Sequence, residues 1–190
     1  VYHKDAGTGY NLYLNTTNSK LDTSLWGTGP TATNFPAHAA FNLTSEEYIA
    51  YLFAEDTPGL IKCGSYLGNA VGGAAPYVPN QIDCGFRPKF VLIKNTGSDT
   101  GWYITDDQRG DDKYLQSNSS DLEGTFNPAA VVFNDTGFSL PTGHHYVNHN
   151  NVEHIFIAIS ENPEVNITTE STISGTVSAS SGNIITVSDI

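Results

Sequence analysis

The chain has no methionine, two cysteines and only eight lysines and arginines in 190 residues. Each shortage excludes something. Two cysteines cannot build the disulfide framework of a small secreted scaffold, and the spacing of Cys63 and Cys84 fits no CxxC-type zinc motif. Against 20 Asp and Glu the net charge is −12, and no basic run or stripe occurs. Phosphate backbones and anionic lipid are therefore poor partners, so neither nucleic acid nor membrane insertion is expected. No stretch approaches the ~20 apolar residues that cross a bilayer, and residues 1–20 lack a secretory signal. The missing methionine, with an opening VYHKDAGTGYNLYL that reads as the inside of a domain, leads to the expectation of a processed or partial piece of a longer chain.

Catalytic signatures are missing too. There is no GxSxG elbow, no HExxH and no cysteine with a partnered histidine in sequence. LGNAVGGAAP (67–76) lacks the GK[ST] ending of a phosphate loop and is expected to be a flexible loop at a sheet edge. The expectation is a protein that is not an enzyme and needs no cofactor.

What is abundant is Ser, Thr, Asn and Gly, with ten Tyr and nine Phe. This is the composition of a β-rich domain with many turns. Short apolar runs recur between turn signals: 48–54 (YIAYLFA), 89–94, 101–105, 129–133, 154–159 and 183–187. YIAYLFA and HIFIAI are apolar on both pleat faces, which predicts central strands covered on both sides. Short helical turns are expected at 19–25 and 119–124, with Ser19 and Ser119 as N-caps. The predicted class is all-β, an antiparallel β-sandwich of lectin-like or jelly-roll type.

Residues 102–162 also repeat residues 1–56. Tyr114-Leu115 falls over Tyr13-Leu14, Asn118-Ser119 over Asn18-Ser19, and NHNNVEHIFIAISEN over NLTSEEYIAYLFAED, at an offset drifting from about 100 to 106. The expected organisation is tandem: 1–58 as the C-terminal half of a first unit, 59–162 as a complete second unit, and 163–190 as a Ser/Thr/Ile-rich linker or the start of a further β module.

Four of the six histidines, His144, His145, His149 and His154, precede the run at 154–159. The repeat keeps only His38 at the corresponding place, and a metal would need a third ligand beyond His145 and His149. A polar rim before a strand is the expectation. Asp106, Asp107, Asp111 and Asp112 in TDDQRGDD suit a solvated acidic turn, with weak Ca²⁺ binding as the alternative. Trp26, Trp102 and Tyr146 are candidates for stacking on a sugar ring, with core packing as the bland alternative. Cys63 and Cys84 each precede a glycine; a disulfide between them and two buried free thiols are both compatible with that.

Gly64-Ser65-Tyr66 to Asn69, Gly85-Phe86-Arg87-Pro88 to Asn95, and the runs from Tyr48 to Glu55 and His154 to Glu161 follow the order GSYxGN, GFxPxxVxIKN, YIAxxFAE. In this the chain resembles a module of phage tail and tail-fibre structural proteins, especially of marine and cyanobacterial phages, over residues 1–162. The two cysteines depart from that pattern. The resemblance implies a virion structural protein, outside the cell on a particle surface, in a tail fibre or similar appendage. Its implied partners are copies of itself and other virion proteins, with host-surface glycan at exposed loops. The alternative is a carbohydrate-binding module that uses exposed aromatics and a Ca²⁺-binding acidic loop. A glycan depolymerase would further need two carboxylates roughly 5–10 Å apart across a cleft.

Overall fold

A computed structural model describes residues 1–70, 78–161, 176–180 and 184–188, the last two by their backbone. The strands in chain order are β1 (Tyr10–Asn11), β2 (Leu21–Asp22), β3 (Asp56–Thr57), β4 (Ile61–Leu67), β5 (Asn80–Asp83), β6 (Pro88–Asn95), β7 (Trp102–Asp106), β8 (Lys113–Gln116), β9 (Gly124–Thr125), β10 (Val132–Asn134), β11 (Gly137–Leu140), β12 (Glu153–Ser160), β13 (Thr176–Ser180) and β14 (Ile184–Ser188). One turn of helix, α1 (His145–Asn148), precedes β12. The protein is mostly β, and its sheets are antiparallel.

The main sheet has seven strands in the order β3-β4-β12-β6-β7-β8-β9. β12 sits between β4 and β6, pairing Phe156 with Gly64 on one side and Ile93 on the other. Residues opposite each other in such ladders point to the same face. One face therefore carries Tyr66, Phe156, Ala158, Val91, Ile93 and Tyr103, all in a single buried cluster. A second sheet, β10-β11-β5, brings Phe133, Phe138, Leu140 and Ile82 to that cluster. Gly64 is small for a reason: a Cβ there would lie 2.9 Å from the Phe156 ring.

The opposite face carries Trp102, Ile155 and Leu92, and the N-terminal segment covers it with Ala6 and Leu12. The Trp102 indole N–H donates to the carbonyl of Tyr13 (2.9 Å), tying that segment down. Lys94, on this face, has no exposed surface; its ammonium donates to the carbonyls of Thr100 (2.5 Å) and Thr17 (3.0 Å). Burial pulls its pKa down to about 8, against a smaller opposing effect of the Asp99 carboxylate.

Several expectations fail here. Residues 48–54 are not a central strand. They are irregular and solvent-facing, with Ile49 83% and Leu52 74% exposed. A strand needs neighbours for its N–H and C=O groups, and none of the described strands lies alongside them. No helix forms at 19–25, which holds β2, or at 119–124, where the Ser119 hydroxyl instead accepts from the Asp121 N–H in a tight turn. Only Val132 and Phe133 of the 129–133 run are in a strand. The loop expected at 67–76 lies outside the described residues from 71 onward. Of the expected tail, the described part is the antiparallel pair β13–β14.

Candidate functional site

The histidine segment is held by its own polar groups. His154 is fully buried and stacks on Tyr66 with ring centres 5.1 Å apart and an angle of 2°. Its Nδ1 lies 3.0 Å from the carbonyl of Val152, and its Nε2 accepts the His149 N–H at 3.4 Å. An acceptor on one side and a donor on the other assign the neutral ring with its proton on Nδ1. Burial holds its pKa down at about 4. Asn148, also buried, exchanges hydrogen bonds with Asn69 and donates to the carbonyl of Thr142. Tyr66 donates to the carbonyl of Val147 (2.6 Å), and Asn95 to that of His145 (3.1 Å). His144 Nε2 is 3.0 Å from the carbonyl of Pro128. Tyr66 and Asn95 fasten α1 to the sheet, and the other bonds tie it to neighbouring loops. Among the described residues, no three His, Cys, Asp or Glu side chains are grouped to hold a metal ion.

The acidic turn is spent on cations of the protein itself. Asp106 accepts from Arg109 Nε (2.6 Å) and from the backbone N–H groups of Gln108 and Arg109. Asp107 pairs with Lys89 (2.6 Å), which holds its carboxyl below the usual range. Asp112 lies 3.6 Å from Lys113. Asp111 is exposed beside them. Asp106, Asp107 and Asp112 point to separate partners rather than to one centre.

The candidate sugar platforms are likewise engaged. Trp102 is 4% exposed and belongs to the interior, in line with the core-packing alternative rather than a sugar-stacking face. Trp26 is half-buried and wedged between Tyr2 and Phe41 (5.4 and 5.1 Å). Tyr146 lies across Tyr103 at 5.2 Å.

Cys63 and Cys84 are free thiols, one of the two arrangements compatible with the sequence. Cys63 shares a face with Ile157 and feels Lys4, Asp5 and Glu55, whereas Cys84 belongs to the core on the other side of the sheet. Burial pushes the Cys84 thiol up to about 12, so it is no nucleophile at neutral pH. It lines an open groove of about 280 Å³ with Asp56, Lys62 and Asp83, where Lys62 is already paired with Asp56. Among the described side chains the Ser98 hydroxyl lies 3.5 Å from His149 Nδ1, at the outer limit of a hydrogen bond.

What remains without a partner is the stretch expected to be a central strand. Tyr48, Ile49, Tyr51, Leu52 and Phe53 are all more than half exposed, and Leu43 joins them. Monomers rarely expose so continuous an apolar run, and such runs mark interaction surfaces. Exposure was hidden in the sequence because the run looks like a core strand.

Residues 1–163 match a sequence family described as a domain of unknown function (DUF7483). The chain belongs to this family. The match to DUF7483 runs without a break across position 58 and ends where the Ser/Thr/Ile-rich stretch begins. No curated protein and no solved structure matches the chain. Among the described residues no helix is long and apolar enough to cross a membrane.

Proposed function

We propose that this protein is a non-enzymatic virion structural module, a β-sandwich of tandem units in a phage tail fibre or similar appendage, which works by assembling with copies of itself. The observation that carries the proposal is the apolar run 48–54, a sequence double of β12 that lies open to solvent. A part that functions alone would gain nothing from keeping five large apolar side chains in water. A part that functions assembled would bury them.

Three further features support the tandem, sandwich-like arrangement. A short helical turn follows His38 (Ala39–Phe41) as α1 follows His144, at the offset of 106 that relates the two sequences. A short antiparallel ladder, β1–β2, stands in the first stretch roughly where β8–β9 stands in the second. The sheet β10-β11-β5 shares one buried cluster with the main sheet, as the two leaves of a sandwich would.

The test is immuno-electron microscopy of purified particles of the virus encoding the chain, with antibody raised against residues 1–161. Label at regular positions on a tail appendage is expected. Particles without label, with the chain found only in the infected cell, would overturn the proposal.

The alternative, a carbohydrate-binding module with an acidic Ca²⁺ loop, loses support from the enclosed Trp102 and from carboxylates already paired with Lys89 and Arg109.

A further inference from the structure

Two unsatisfied surfaces of this molecule fit each other. The first is the run 48–54. The second is the outer edge of β4. β3 covers only Lys62 and Ile61 of that strand, and one further bond follows, from the Cys63 N–H to the carbonyl of Glu55 (2.7 Å). The Gly68 N–H donates the other way, to the carbonyl of Val152 beside β12. Because backbone groups alternate sides along a strand, the amides of Ser65 and Leu67 point outward, away from β12. The Leu67 carbonyl is taken by the Asn80 side chain (2.8 Å). The N–H and C=O of Ser65 and the N–H of Leu67 have no partner among the described residues. Beside them, the Leu67 and Val78 side chains are 64% and 79% exposed.

The molecule also displays what β4 accepts. Its inner edge is occupied by β12 along seven residue pairs, Glu153 to Ile159. The run 48–54 has the same character as β12, apolar on both faces and flanked by acids, with Glu47 and Glu55 where β12 has Glu153 and Glu161.

We infer that residues 48–54 form a strand on assembly, by adding to the open edge of β4, at Ser65 and Leu67, in a second copy of this chain. The donor and acceptor surfaces differ, so the contact is head-to-tail and propagates into a ring or a filament. Addition satisfies the bare backbone groups of the acceptor, and the donor's apolar side chains leave water against Leu67 and Val78. The inference deepens the proposed structural role by naming the surface that joins the copies.

The test is sedimentation of the full chain over a concentration series, against three sets of variants. Ile49→Asp with Leu52→Asp disables the donor at positions outside the core. Ser65→Pro removes the outward N–H of the acceptor, and Leu67→Asp stands in for it if the proline disturbs folding. Leu122→Asp, at a residue 93% exposed elsewhere, is the control. The wild type is expected to grow from the 20.4 kDa monomer into multiples. Donor and acceptor variants should each weaken association about tenfold or more, the loss that follows removal of a buried anchor. The control should change nothing.

A mixture of the donor and acceptor variants should form a dimer and stop there, because only one competent contact remains. A wild type monomeric at every concentration overturns the inference, and so does association insensitive to both sets. A mixture that yields no dimer overturns it too, pointing to pairing within one chain or to a symmetric contact. A labelled virion with a monomeric chain would refute this surface and leave the structural role standing. Association through this surface by a chain never found on particles would do the reverse.

Discussion

Residues 48–54 and 154–160 are nearly interchangeable on paper and opposite in the folded chain. The second forms most of β12, at the centre of the main sheet, with Ile155, Phe156 and Ala158 buried. The first is irregular, with Ile49, Tyr51 and Leu52 at least 74% exposed. Composition cannot account for the difference, since both runs are β-prone and apolar on both faces. Neighbours account for it. β12 finds β4 and β6 on either side and a sheet of its own chain above, whereas none of the described strands pairs with 48–54. β-propensity here measures fitness for a surface that something else must provide.

The comparison can be broken first by truncating corresponding apolar residues. Phe156→Ala removes a ring packed against Tyr66 and Phe138 and should destabilise the chain by about 3–5 kcal/mol in denaturant unfolding. Phe53→Ala, in the dilute monomer, should change stability by no more than about 0.5 kcal/mol. Equal losses would mean that 48–54 is packed after all.

Acid sharpens the contrast at the strand entrances. His154 is neutral when folded and its pKa is held at about 4, below the ordinary 6.5, so the unfolded chain binds the extra proton between those values. Stability is then complete above pH 6.5 and falls as pH drops toward 4, by on the order of 3 kcal/mol. His154→Phe should flatten that slope in pH-resolved melting, at some constant cost from the lost hydrogen bonds. Tyr48→Phe, at the matching position, should leave the slope alone.

Base tests the neighbour of β12. Lys94 lies opposite Ile155 with its pKa lowered to about 8. Between pH 8 and its ordinary 10.5 the unfolded chain keeps a proton that the folded chain sheds, so stability rises with pH there. A gain of roughly 2 kcal/mol by pH 9.5 is expected for the wild type, and its absence in Lys94→Met. A wild type that loses stability from pH 8 to 9.5 would contradict the burial of that amine.

The smallest effect concerns the rival surface. Millimolar Ca²⁺ should leave the melting temperature of the chain unchanged, because Asp106 and Asp107 are already paired with Arg109 and Lys89. A rise that Asp106→Asn abolishes would restore the acidic turn as a metal site.

Strands were legible wherever the chain supplies its own partners. The apolar runs around Val91, Ile104 and Phe156 all became paired strands. The short helical turns were misplaced because Asn, Ser and Asp compete for the backbone in tight turns as readily as they cap helices. The fates of Trp102 and Lys94 were not legible. Each depends on the N-terminal segment folding back across the sheet, where Tyr13 and Thr17 offer their carbonyls. That long-range contact has no local signature. The exposure of 48–54 was hidden for the same reason in reverse: the run shows its own character, and the absence of its neighbours shows only in the fold.

The central claim is that 48–54 becomes a strand only between copies. Hydrogen exchange resolved to single amides, on the dilute monomer and on the assembled form of the same chain, tests it most directly. The account predicts that amides in 48–54, together with those of Ser65 and Leu67, exchange rapidly in the monomer and become protected together on assembly. Assembly that leaves these amides exchanging as fast as before, or a monomer in which they are already protected, would contradict it.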